Sequence, residues 1–287
     1  MANFSQINLD LQSVMKRTYA NLLYRSTFYN FLNEYYIGEI RQTGTPMIEI
    51  IKQTATTVNT RLNPEIADNG GLSPELATYG NDIVDLTELA MDYSFRIPVL
   101  VVGSNIAGAI DEQIRINDST IANKIDKYGY GKLATGVTNT KAWAPATKEE
   151  YISLLNELKA TLFNADVYDT YRLGLDAVEY GNLVSALTSI LKFETLAGVE
   201  GVDRGEIANA YGVDIFAINS NVLTAGVVGY FGSPVAVVGD TFFSDMVAYN
   251  GNYPGFPGYY VVEGNVLFGA KVVRPEAMIK LTKSASM

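Results

Sequence analysis

The chain has 287 residues, enough for one large domain or two small ones with a sizeable core, and it contains neither Cys nor His. Those absences exclude disulfides, thiolate chemistry, Ser-His-Asp and Cys-His catalysis, most zinc sites and the usual proton shuttle near neutral pH. A net charge of −10 without any Lys/Arg run argues against a nucleic-acid-binding surface, while 18% charged and 48% hydrophobic residues suit either a surface partly hidden in partners or a Tyr-rich ordinary domain.

Met1 to Gln12 has neither the basic start nor the apolar core of a signal peptide, and no stretch could span a bilayer, so a cytosolic origin is the default expectation. From Leu9 to Ile40 aromatics are dense, and Phe28, Phe31, Leu32 and Tyr35 fall at helical spacing. This predicts helical segments, within an arm or as a first core helix. Met47 to Arg61 is rich in Ile, Thr and Val, a β-prone composition. Ile83 to Ile97 closes with strict alternation, Leu89, Met91, Tyr93, Phe95 and Ile97 against Ala90, Asp92, Ser94 and Arg96, the period of a strand with one buried face. Together they predict a ribbon with arms of about 45 Å, which would be marginal alone in water. The turn-rich stretch Leu62 to Asp82 between the arms suits a protruding hairpin that docks on another subunit.

Ser104 is a candidate N-cap for a helix to about Tyr128, striped by Ile106, Ile110, Ile114, Ile121 and Ile125, with Asp111 and Arg115 spaced to pair. The glycines from Gly129 to Gly136 then predict a loop. Thr147 and Glu150 fit a capping box before a helix whose Tyr151, Leu155, Leu158 and Leu162 share a face. Tyr171 to Leu175 reads as a short strand, and Asp176 and Glu179 open a further helix carrying Tyr180, Leu183, Val184 and Leu187. Val213 to Ile218 and Val235 to Val238 read as strands. Tyr259 to Val262 and Val266 to Val273 flank Glu263-Gly264-Asn265, which reads as a hairpin turn, and Ala277 to Leu281 closes the chain as an edge strand or short tail.

The order of these parts resembles the Hong Kong phage capsid fold, the fold of tailed-phage major capsid proteins, shared by encapsulins. Three segments carry the likeness locally. They are Asp176-Ala-Val-Glu-Tyr-Gly-Asn-Leu after Arg172-Leu-Gly-Leu, Gly212-Val-Asp-Ile-Phe-Ala-Ile-Asn, and Phe268-Gly-Ala-Lys-Val-Val-Arg-Pro-Glu-Ala-Met-Ile-Lys-Leu. The match is spread from about Val14 to Lys283. It implies an α+β fold with an N-terminal arm at 1–45, an extended hairpin loop at 46–97, a peripheral domain with a long spine helix at 98–140 and 258–287, and an axial α/β domain at 141–257.

The resemblance also implies a function. It is that of a non-enzymatic major capsid protein, without cofactor or metal, that assembles in the host cytoplasm as hexamers and pentamers into an icosahedral virion shell. The shell would enclose double-stranded DNA without sequence-specific binding, with portal and scaffold proteins of the same phage as further partners and no membrane. Relatives that carry their own scaffold have a long helical leader, which this sequence lacks at its start, so a separate scaffold or none is implied. Ile50, Met91, Tyr93 and Phe95 would face a neighbour or the ribbon's own base, and Arg61 and Glu75 near its tip are candidates for intersubunit ion pairs or simple solvated charges. An encapsulin-like compartment holding an enzyme, or a His-free carbohydrate enzyme or binding module, are the alternatives.

Other chemistry is thinly supported. In VLVVGSNIAG, Val99 to Gly108, Asn105 stands where a dinucleotide fingerprint needs its second glycine, and no βαβ unit follows. The SxxK runs Ser13 to Lys16 and Ser189 to Lys192 lack companion motifs. Asp111 with Glu112 and Glu149 with Glu150 are helix neighbours that do not face one another, and Asp68, Asn69, Glu75 and Asp82 lack the spacing of a cation loop.

Overall fold

A computed structural model of the chain describes residues 11–35, 37, 46–53, 79–98, 106–187, 206–210 and 212–283. The helices are α1 (Leu11–Arg25), α2 (Ile106–Gly136), α3 (Lys148–Phe163) and α4 (Ala177–Leu187). Strands β1 (Met47–Gln53) and β2 (Tyr79–Asp85) pair antiparallel as a ribbon. A three-stranded antiparallel sheet is ordered β3 (Leu89–Pro98), β10 (Phe256–Val272), β9 (Val237–Tyr253). The remaining strands are β4 (Thr140–Trp143), β5 (Tyr171–Asp176), β6 (Glu206–Ala210), β7 (Val213–Ile218), β8 (Val227–Gly232) and β11 (Met278–Lys283), in a six-stranded mixed sheet ordered β4-β11-β8-β5-β7-β6. The fold class is α+β.

The alternation in β3 is real, but its partner is not the one expected. The ribbon's second arm ends at Asp85, whose carboxylate accepts from the Thr87 N–H at 2.8 Å and from its hydroxyl at 2.7 Å, turning the chain before β3 begins. β3 then pairs with β10, and its apolar face of Met91, Tyr93, Phe95 and Ile97 is buried in the main core. A long apolar face is satisfied more fully by the chain's own helices than by a solvent-exposed partner arm.

α2 has 31 residues, about 46 Å of helix, and continues through the glycines that suggest a loop. Its apolar stripe runs on through Tyr130 and Leu133, both fully buried. A methyl group at Gly129 would lie 2.5 Å from the Phe28 ring and one at Gly136 would lie 2.7 Å from Val272. Those glycines buy close packing at the cost of helix propensity. Asp111, placed to pair with Arg115, instead meets Arg17 of α1 at 2.6 Å, while Arg115 binds Glu112.

Within the stretch expected as an arm, α1 lies along α2 with Val14, Met15, Tyr19 and Leu22 buried. A 3-10 turn at Thr27–Phe31 replaces a continued helix and places Phe31 against Phe216 of β7 at 5.1 Å and Tyr130 at 6.4 Å, so that one core spans both sheets. The capping box forms as read: Thr147 accepts from the Glu150 N–H, and Glu150 accepts from the N–H groups of Ala146 and Thr147, bonds that hold its carboxyl below the usual range.

Two further expectations change. The hairpin of β9 and β10 turns at Pro254-Gly255, where Gly255 has φ +94, and Glu263-Gly264-Asn265 is a register shift inside continuous β10. β11 is not an edge, because it pairs with β4 on one side and β8 on the other.

Candidate subunit interface

Among the described residues the ribbon stands as a two-stranded sheet of its own, joined to the rest of the fold through one face. One face carries Ile48, Ile50 and Val84, which join Leu86, Val238 and Phe242 in a small apolar cluster separate from the main core. Contact at the base is close because β10 offers a glycine: a Cβ at Gly269 would come within 2.0 Å of the Asp85 carbonyl oxygen. Lys271 binds Asp82, and the Leu86 N–H donates to the Pro46 carbonyl at 2.8 Å. The opposite face presents Met47, 46% exposed, and Ile83, 54% exposed, beside Glu49 and Asp85. Among the described residues neither outer edge of the ribbon pairs with another strand. Open edges and exposed apolar side chains are what a sheet presents to a partner.

A cleft of about 310 Å³ adjoins this face, lined by Ile83, Asp85, Glu88, Lys132, Lys271 and Val272. Lys132 binds Glu88 at 2.7 Å, and the Tyr128 hydroxyl donates to the same carboxylate. Burial works against charge on Glu88, but the bonds from Lys132 and Tyr128 outweigh it and keep the carboxyl below its usual range. Burial, then Glu88, raises the Tyr128 hydroxyl. The lysines at the cleft are thus paired within the chain.

Of the residues singled out in the sequence, Ile50 sits at the ribbon's own base, 6% exposed. Met91, Tyr93 and Phe95 belong to the interior of this chain and offer nothing to a neighbour, because the face that carries them packs against the main core. Arg61, Glu75, Asp68, Asn69 and the turn at Ser104 lie outside the described residues. Met47 and Ile83 were missed, although the alternation Met47, Ile48, Glu49, Ile50 already puts Met47 opposite the buried pair. Sequence also missed the exposed Phe256, which sits beside the β9–β10 turn with the Arg96 guanidinium 4.5 Å from its ring centre. Among the described residues no group of three or more acidic side chains is placed to hold a metal ion, and no helix is long and apolar enough to cross a membrane.

No protein-family model and no curated protein matches the sequence. The backbone arrangement does match solved structures. A chain from Mycobacterium phage Che8 is 19% identical, with 90% of this chain and 92% of that one covered at a TM-score of 0.59. A chain of the capsid of cyanophage P-SCSP1u is 13% identical, with 90% and 88% covered at 0.58. A chain of the Ralstonia phage GP4 capsid is 10% identical, with 87% and 86% covered at 0.58.

This is the phage capsid fold. At such identities it is the arrangement of elements that is shared, not the individual side chains. The α+β architecture expected from the order of parts is met.

Proposed function

We propose that this chain is the major capsid protein of a tailed phage, the repeated structural subunit of an icosahedral shell around double-stranded DNA. The observation that carries this reading is the extent of the match, 87–90% of this chain against 86–92% of the phage chains compared, which leaves little of either molecule for another role. The reading makes the protein a structural component of the virion, assembled in the host cytoplasm as hexamers and pentamers with portal and scaffold proteins. Its work is geometric: each copy covers part of the next, and many weak contacts sum. A net charge of −10 suits a wall that packed DNA must not stick to.

In this reading residues 46–85 form the loop that lies on a neighbouring copy, presenting Met47 and Ile83. Arg61 and Glu75 remain candidates for intersubunit ion pairs. The pairing of β3, β9 and β10 supports grouping these strands with α2 in the peripheral unit, and the six-stranded sheet with α3 and α4 in the axial unit. Negative-stain microscopy of the chain co-expressed with its cognate phage proteins tests the proposal. Closed shells that package nucleic acid are expected. A monomer at micromolar concentration under those conditions would sink the reading, and shells holding protein cargo without nucleic-acid absorbance would replace it with a compartment.

A further inference from the structure

The sheet of β3, β10 and β9 turns one face to the main core and the other outward. On the outward face Arg96 stands opposite Val261, Ser94 opposite Glu263 and Ala90 opposite Leu267. The chain's own ribbon covers one end of that face, where Leu267 packs against the ribbon's apolar cluster. At the other end lies an open hollow of about 350 Å³, lined by Ser94, Arg96, Phe256, Val261 and Glu263.

Arg96 is held in place there without being used. Its guanidinium lies 4.5 Å from the Phe256 ring centre and has no hydrogen-bond acceptor among the described residues, whereas Arg17, Arg25, Arg115, Arg172 and Arg274 each have one. Stacking on the ring fixes the plane of the fork and leaves its N–H donors for a carboxylate. Glu263 also lines the hollow, but in register with Ser94 rather than with Arg96.

The complement of this corner is the exposed face of the ribbon, which mixes apolar and acidic residues: Met47 lies opposite Asp85, and Glu49 opposite Ile83. Both bonds from Thr87 to Asp85 end on Oδ1, so Oδ2 has room for a donor. One copy cannot bring its own two surfaces together. Val261 and Gly269, where the ribbon meets β10, are eight residues apart, about 26 Å of strand, and the ribbon runs on past Lys271, away from Arg96.

We infer that the ribbon of one copy lies on the Arg96–Phe256 corner of the next, with Met47 and Ile83 against the hollow and Asp85 taking the guanidinium. This rests on the capsid reading and names the receiving surface. A contact between two different patches repeats head to tail, and contacts of that kind close into rings, as hexamers and pentamers require.

The chain has no Cys, so Ser94→Cys and Ile83→Cys, both at exposed positions, place unique thiols on the two surfaces. In shells of the double variant, co-expressed with the cognate phage proteins, a short bismaleimide should give a ladder of covalent multimers on a denaturing gel. Shells co-assembled from the two single variants should stop at dimers. Adding Arg96→Glu to the double variant should cut the ladder by about tenfold or more, because carboxylates then face each other across the contact. Should Ile83→Cys not assemble, Glu49→Cys, its partner in register, takes its place. Shells without the ladder, or a ladder undiminished by Arg96→Glu, overturn this contact and leave the capsid reading standing. No shells from the wild type under the same conditions would sink that reading and the contact with it.

Discussion

Gly129 and Gly131 are two positions apart in α2, and a methyl group would meet opposite surroundings at each. At Gly129 it would press into the Phe28 ring at 2.5 Å, whereas at Gly131 nothing lies within 4 Å. Gly129→Ala should therefore destabilise the chain, because overpacking of about 1–3 kcal/mol exceeds the roughly 1 kcal/mol gained in helix propensity. Gly131→Ala should stabilise by up to about 1 kcal/mol, since only the propensity changes. Urea unfolding of both variants checks the pair, and shifts of the same sign would refute the close contact. The positions also explain why the end of α2 is hard to read. Glycine-rich composition points to a loop, yet Ile121, Ile125, Leu133 and Val137 keep the four-residue stripe, and Gly129 stands in that stripe because a ring from the neighbouring turn needs the room.

Among the elements, the ribbon tests how far a small cluster can be loosened without disturbing the main core. Ile50 packs with Ile48, Val84, Leu86, Val238 and Phe242, apart from the large cluster that joins the two sheets. Ile50→Ala should remove about 2 kcal/mol or more of packing, which is roughly thirtyfold in local opening. Faster exchange confined to residues 47–53 and 79–85, with the main unfolding transition nearly unmoved, is the expected result. A matching fall in the main transition would show that ribbon and core unfold together. Legibility differed between elements for a physical reason. The capping box of α3 and the face of α4 are local patterns, and the sequence states them outright. The alternation of β3 fixes a strand and its buried face, but not which strand lies beside it: β10 is more than a hundred and fifty residues away, and register information of that kind is not written in a local period. For the same reason Met91, Tyr93 and Phe95 could be recognised as buried while the surface that buries them could not.

For the whole molecule, the contrast between a finished core and an unfinished ribbon decides where assembly should be vulnerable. Met47 and Ile83 lie on the ribbon face away from its own cluster and are about half exposed, so the isolated fold does not depend on them. Met47→Gln with Ile83→Gln adds no like charge opposite Asp85 and Glu49, which face these positions across the ribbon, and should leave the unfolding free energy within about 1 kcal/mol of wild type. Assembly is a different matter. If this face lies on another copy, each contact would desolvate two side-chain amides without partners, at about 1–3 kcal/mol apiece, and a closed shell repeats that cost at every copy. Light scattering under assembling conditions should then show few or no shells while the unfolding curve stays put. Wild-type shell yield from the double variant would mean that the exposed ribbon face is plain solvent surface, and the contact between copies would have to be sought on the β9–β10 turn around Phe256 instead.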